Sequence, residues 1–273
     1  MNTKTTLLKL TLLTAIATIV LTSCSISTAD DTPKTDAFLS RTQGRNTDNS
    51  NSLPLPYHPN DDQIIRHNAY TLSYSEQHEQ ARWTIYMLTK KRAHGRHKRQ
   101  SDFRPDDAVA TESAQLYDYK RSGYTRGHLV PAGDMKWDSL AMSETFFLSN
   151  MSPQLADFND GIWNNLENRI RSWSGRYDTL YVVTGPVLRD KLPTIGRNKV
   201  SVPEYFYKVV LDPSRQEGIA FIVPHRDSQT SLYKFAVSID SVEKATGIDF
   251  FPSLPDDVED KIESSCNTRS WTW

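Results

Sequence analysis

Tyr124-Thr125-Arg126-Gly127-His128-Leu129-Val130-Pro131-Ala132-Gly133-Asp134-Met135, read with Asn159-Asp160-Gly161-Ile162-Trp163-Asn164-Asn165-Leu166-Glu167 further along, decides the fold of this chain. Imidazole is the one side chain whose ordinary pKa lets it accept a proton efficiently near neutrality. Gly123 and Gly127 precede His128, and Pro131 and Gly133 follow. That composition suits an irregular loop or hairpin that brings backbone close to a ligand. From Asn159 the pattern turns helical. Trp163, Leu166, Ile170 and Trp173 fall within about 80° of arc at about 100° per residue, which predicts a helix from Asn159 to about Trp173 with a buried stripe. Glu167 and Arg171 lie beside the stripe one turn apart, so both can face a cleft at its edge. Asn159, at the head of this helix, either caps the first turn or offers an amide oxygen to a hard cation.

Outward from these segments the chain alternates between strand and turn signals. Strands are expected at Tyr70–Ser75, with Tyr70, Leu72 and Tyr74 on one face, and at Trp83–Thr89, Leu180–Thr184, Glu204–Leu211, Gly218–Val223 and Phe235–Ile239. Glu204–Leu211 and Gly218–Val223, joined through Asp212-Pro213, form a hairpin in this reading. Asp240 with Glu243 suggests a capping box opening a short helix that Gly247 closes. Strands before and after a long helix, without regular βαβ alternation, point to an α+β fold with a largely antiparallel sheet.

The amino terminus reads as an address. A basic start, Met1-Asn2-Thr3-Lys4, precedes an apolar run from Leu7 to Leu21, and Leu21-Thr22-Ser23-Cys24 follows. The run is shorter than the roughly 20 residues a membrane span needs, so residues 1–23 read as a signal peptide. The exit resembles a bacterial lipobox, with Cys24 the residue that would be lipidated, and acyl chains on one cysteine suffice for anchoring. Residues 24–56 then form the lipidated cysteine and a Ser-, Thr-, Asp- and Asn-rich flexible tether, and residues 57–273 one domain. The expected location is the cell envelope: an exported lipoprotein of the outer membrane, its domain on the periplasmic or the surface face. Removing residues 1–23 deletes Lys4 and Lys9 and no acid, leaving 30 basic against 33 acidic side chains, net −3. A global basic footprint is excluded, so polyanion affinity would have to come from a local patch. Two cysteines make no disulfide framework if Cys24 carries lipid, and Cys266 is expected as a small buried hydrophobe.

Four pieces in order and spacing carry a specific resemblance. They are Arg99-Gln100-Ser101-Asp102-Phe103-Arg104-Pro105-Asp106; Ser122-Gly123-Tyr124-Thr125-Arg126-Gly127-His128-Leu129; Ser149-Asn150-Met151-Ser152-Pro153-Gln154; and the helix Asn159…Trp163…Leu166-Glu167…Arg171. Together they resemble the DNA/RNA non-specific endonuclease family, which includes secreted bacterial nucleases and endonuclease G. Weaker similarity runs from about His67 to Pro252. The resemblance implies a ββα-metal (His-Me finger) nuclease fold, with a largely antiparallel central sheet flanked by helices. It further implies hydrolysis of phosphodiester bonds in DNA and RNA without sequence preference, leaving 5′-phosphate ends. Carried over residue by residue, His128 matches the general base and Asn159 the only direct protein ligand of one Mg²⁺, for which other divalent cations can substitute. Glu167 matches the acid that holds water of the ion's shell, and Arg99, Arg126 and Arg171 match groups that contact phosphate or stabilise charge.

One position departs: the family motif usually opens with Asp where this chain has Thr125. That carboxylate is neither base nor direct ligand, so cleavage is expected to persist with altered electrostatics around His128. The alternative expectation is a catalytically weak or inactive nucleic-acid-binding lipoprotein. The basic run Lys90-Lys91-Arg92-Ala93-His94-Gly95-Arg96-His97-Lys98-Arg99 is either a solvated loop or a track for the backbone of DNA or RNA. Whether the domain forms a homodimer stays open at this point.

Overall fold

The computed structural model describes residues 53–60 and 63–273. The expected signal peptide, Cys24 and most of the expected tether lie outside the described residues. Leu53 and Leu55, assigned to the tether by composition, instead pack against the apolar core, and the Tyr57 N–H donates to the Asp249 carbonyl at 2.7 Å. The folded domain therefore begins a few residues before residue 57.

A seven-stranded sheet organises the domain, in the order β1 (Gln63–Arg66), β2 (Tyr70–Ser75), β3 (Gln80–Thr89), β6 (Thr179–Pro186), β9 (Tyr205–Asp212), β10 (Glu217–Pro224) and β11 (Ala236–Val237). Every neighbouring pair is antiparallel. The expected hairpin is β9–β10, closing where Asp212 pairs with Glu217. Two short pairs stand apart: β4 (Thr125–His128) with β5 (Met151–Gln154), and β7 (Thr194–Ile195) with β8 (Val200–Ser201).

Both faces of the sheet are covered, which explains why its inner strands read as nearly continuous apolar runs. On the near face Tyr70, Leu72, Tyr74, Tyr86, Leu88, Val182, Phe206, Val210 and Phe221 pack with Phe158, Trp163, Leu166, Ile170 and Trp173. The last four form the predicted stripe of helix α1 (Asn164–Trp173) and its lead-in. The alternate residues Trp83, Ile85, Val183, Tyr207, Val209 and Leu211 face the other way, onto α2 (Ile239–Thr246) and α3 (Asp256–Glu263) through Ile239, Val242 and Ile262. The architecture is thus α+β, with β4, β5 and α1 following one another as the ββα unit that the resemblance implies.

Three expectations need correction. The run Phe235–Ile239 supplies only two strand residues, Ala236–Val237, because its ends are taken by a 3₁₀ turn and by the first turn of α2. The cap of α2 is Ser238, whose Oγ accepts from Ser241 N–H, so Asp240 and Glu243 form no capping box; Gly247 does close the helix, in the left-handed region at φ 72°. Cys266 is half-buried rather than sealed in the core.

Candidate active site

The short strand β4 sorts its side chains by alternation: Arg126 and His128 project to one side, Thr125 and Gly127 to the other. Thr125 pairs with Gln154 and His128 with Met151. A Cβ at Gly127 would sit 2.1 Å from the end of the Gln154 side chain, which would have to move aside. His128 is only 8% exposed. Its ring stands edge-on to Phe146 at 4.9 Å and tilted to Phe103 at 5.7 Å, and those two phenyl rings meet in a T at 5.0 Å. The same rings seat the guanidinium groups. Arg126 lies 4.0 Å from the centre of Phe103, and Arg99 lies 5.0 Å from that of Phe146. An aromatic platform thereby gathers His128, Arg99 and Arg126, residues that the sequence spreads over 30 positions.

The electrostatic result is a neutral imidazole. Burial first, then the charges of Arg99 and Arg126, pull the His128 pKa down to about 3. Its Nε2 is buried without a hydrogen-bond partner. A buried nitrogen left unpaired is costly, so it marks a position where a substrate group or water is to be received.

Asn159 sits at the start of a widened turn, Asn159–Trp163, in which the Asn164 N–H reaches back to the Asn159 carbonyl and Gly161 departs from helical geometry (φ −95°, ψ −112°). Widened turns of this type recur at functional sites. The Asn159 side chain is oriented by a relay. Its Nδ2 donates to Thr125 Oγ1 at 3.2 Å, and the Thr125 hydroxyl donates to the Gln154 carbonyl at 3.0 Å. Oδ1 of Asn159 therefore points elsewhere and, among the described residues, accepts no hydrogen bond. A half-exposed, oriented amide oxygen suits a hard cation that keeps most of its water, so the residues present fit an ion of the Mg²⁺ class.

Glu167 and Arg171 both lie on α1, one turn apart, in different surroundings. Arg171 is clamped: Nε donates to Asp134 Oδ1 and a second nitrogen to Asn168 Oδ1, each at 2.5 Å, and Asp134 also receives the Tyr86 hydroxyl at 2.6 Å. Arg99 and Arg126 have no carboxylate ion pair among the described residues. Desolvation pushes the Glu167 carboxyl up, opposed by Lys208, Arg171 and Arg99. Arg99 thus acts on both His128 and Glu167, which links the strand side of the site to the helix side.

Two residues escaped the sequence reading. Lys208, on β9, is fully buried; its Nζ donates to Thr184 Oγ1 at 2.9 Å and lies 4.6 Å from the Trp163 ring centre, and burial pulls its pKa down. Its signal was the alternation of Phe206, Lys208 and Val210, which places the lysine on the same inward face as two core residues. Asp134, 1% exposed, was in view within the opening stretch, but only its long-range partner Arg171 reveals its role.

The sequence pattern of the DNA/RNA non-specific endonuclease family matches residues 50–257. The chain is 35% identical over 209 residues to the mitochondrial endonuclease G of Homo sapiens, a match covering 70% of each chain. It is 37% identical over 204 residues to the mitochondrial nuclease EXOG of Danio rerio, covering 68% of this chain and 60% of that one. A chain in the crystal structure of the EndoG/EndoGI complex superposes with a TM-score of 0.67 at 33% identity, covering 72% of this chain and 89% of the other. This chain belongs to the DNA/RNA non-specific endonuclease family and is an endonuclease.

Proposed function

We propose that this endonuclease hydrolyses phosphodiester bonds of DNA and RNA without sequence preference, leaves 5′-phosphate ends, depends on a divalent cation of the Mg²⁺ class, and works with His128 as general base. The observation that carries the proposal is the uncharged, unpaired His128 nitrogen beside two arginines that have no carboxylate ion pair among the described residues. A neutral imidazole can take the proton of a water that attacks phosphorus in line with the departing 3′-oxygen. Arg126 and Arg99 face the charge of the phosphate. As that charge compensates theirs, the part of the His128 pKa depression due to Arg99 and Arg126 relaxes, and the imidazole becomes a stronger base at the moment it is needed. Asn159 Oδ1 would hold the cation, with Glu167 steadying its water, and the ion supplies Lewis-acid stabilisation of charge on the phosphate and the leaving oxygen. Arg171, locked to Asp134, fixes the wall of the site on which Glu167 stands. Contacts of this kind go to phosphate and sugar rather than base edges, which is the basis for expecting little sequence preference.

The amino-terminal residues complete the proposal: export through residues 1–23, lipidation at Cys24 and a tether that holds the nuclease domain at the cell envelope. The deciding experiment is digestion of single- and double-stranded DNA and RNA, with end analysis of products, by the wild type and Asn159→Ala across a Mg²⁺ series. The proposal expects cleavage to require the cation and the variant to fall sharply at every concentration. Activity unchanged in the variant would leave Asn159 as only the head of a helix.

A further inference from the structure

On the sheet face opposite α1, helices α2 and α3 turn acidic side chains toward each other. One carboxylate oxygen each from Asp240, Glu243 and Glu263 lies within 4.8 Å of the other two. Glu263 is 5% exposed, and its Oε1 is a buried acceptor with no hydrogen-bond partner. None of the six ion pairs among the described residues involves these three carboxylates. Glu243 has one oxygen engaged by the Phe250 N–H at 2.9 Å, which fixes its side chain in place.

We propose that Asp240, Glu243 and Glu263 form a binding site for a single hard divalent cation of the Ca²⁺ class, which ties α2 to α3 and is separate from the nuclease site. An all-oxygen, all-carboxylate donor set selects calcium or magnesium over zinc or copper. Oxygens within 4.8 Å of one another need to draw in only slightly to share one Ca²⁺ at about 2.4 Å, with water completing the shell. The cluster also has an electrostatic need for such an ion. Three carboxylates this close, one of them buried, repel one another unless a cation or a proton stands between them. The anchoring is mechanical as well as electrostatic. Ile239, Val242 and Ile262, from the same two helices, cover Tyr207, Val209 and Ala220 of the sheet, so drawing α2 and α3 together consolidates the far half of the core.

The test is thermal unfolding of the full chain, stripped with EDTA and titrated with CaCl₂ or MgCl₂, for wild type, Asn159→Ala, Glu263→Gln and Asp240→Asn. An ion that binds only the folded state at about 100 times its Kd should raise Tm by roughly 5–10 °C in a domain of this size. Wild type and Asn159→Ala should show this Ca²⁺ shift alike, because the nuclease site takes no part in it. Glu263→Gln should lose the shift. In EDTA it should unfold no lower than wild type, since the amide is isosteric with the carboxyl and ends its repulsion with Asp240 and Glu243, and so misfolding would not confound the comparison. Asp240→Asn, at the exposed rim, should need several-fold more Ca²⁺ for the same shift. A wild type that does not respond to Ca²⁺, or a response that survives in Glu263→Gln or vanishes in Asn159→Ala, overturns the site; in the first case the cluster holds a proton instead.

Discussion

Thr125→Val is the perturbation that asks most of the proposed site, because valine keeps the shape of the side chain and deletes only the hydroxyl. That hydroxyl makes two bonds, accepting from Asn159 Nδ2 at 3.2 Å and donating to the Gln154 carbonyl at 3.0 Å. Each neutral bond contributes about 1 kcal/mol net. Thr125 is only half-buried, so water replaces part of the loss, and the fall in stability should be about 1 kcal/mol. The functional loss should be larger. Without the hydroxyl, nothing among the described residues holds Nδ2, and the Asn159 amide is free to turn its nitrogen where the oxygen should be. Removing a partner that orients a metal ligand typically costs about 10–100-fold in metal affinity or activity. The assay is initial-rate cleavage of a supercoiled plasmid against Mg²⁺, with urea unfolding measured in parallel. Half-maximal Mg²⁺ should rise by that factor while Thr125→Ser restores it. Thr125→Asp should recover only part, since a carboxylate can accept from Asn159 but faces the Gln154 carbonyl with no proton to donate. If Thr125→Val titrates with Mg²⁺ like wild type, the relay does not orient Asn159 and its account of the missing Asp fails.

His128→Ala should lower kcat by about 10²–10⁴ with the fold retained, and near-wild-type turnover would remove it as base. The same residue predicts a stability slope: its folded pKa of about 3 lies below the ordinary 6.5, so wild-type stability is full above pH 6.5 and declines as pH falls toward 3. Urea midpoints of His128→Ala should decline less over that window. Lys208→Met removes the ammonium that opposes the burial of Glu167, so the Glu167 carboxyl should rise further; the acid limb of kcat/KM should move alkaline, and an unmoved limb would exclude the coupling. The arginines should divide. Arg126→Ala should flatten the salt dependence of DNA binding by about one unit of log–log slope. Arg171→Ala should leave that slope alone and cost about 3 kcal/mol of stability by orphaning the buried Asp134. Cys24→Ser should move the protein from membrane to soluble fractions with its nuclease rate intact, and retention on membranes after a salt wash would count against the lipobox.

What could be read from the sequence was whatever local pattern determines. Tyr70–Ser75 and the β9–β10 hairpin announced themselves through alternation and a proline turn, and α1 through its Trp163-Leu166-Ile170-Trp173 stripe. Phe235–Ile239 misled because a five-residue, mostly apolar segment carries no period long enough to separate strand from helix start, and packing of Ile239 against the sheet decided it. Lys208 was passed over because a single lysine in a strand ordinarily faces solvent; its burial is imposed by Trp163, from a helix 45 residues earlier in the chain. The Thr125–Asn159 bond spans 34 residues and the Arg171–Asp134 pair 37, and such contacts exist only once β4, β5 and α1 have docked.

The departure at Thr125 and the modest net charge of −1 then have a common explanation. A nuclease needs positive potential where phosphate arrives, and a carboxylate close to the base would cancel part of it. Here Arg99 and Arg126 are steadied by Phe146 and Phe103 instead of by acids, so their full charge remains for a phosphate. Asn159 is steered by a neutral hydroxyl rather than an anion. An acidic cluster without ion pairs among the described residues, Asp240, Glu243 and Glu263, lies on the other face of the sheet, between α2 and α3. Segregating the charges in this way lets a chain with more acids than bases present a local basic face to a polyanion, because potential at a surface follows the nearest unscreened charges and not the total.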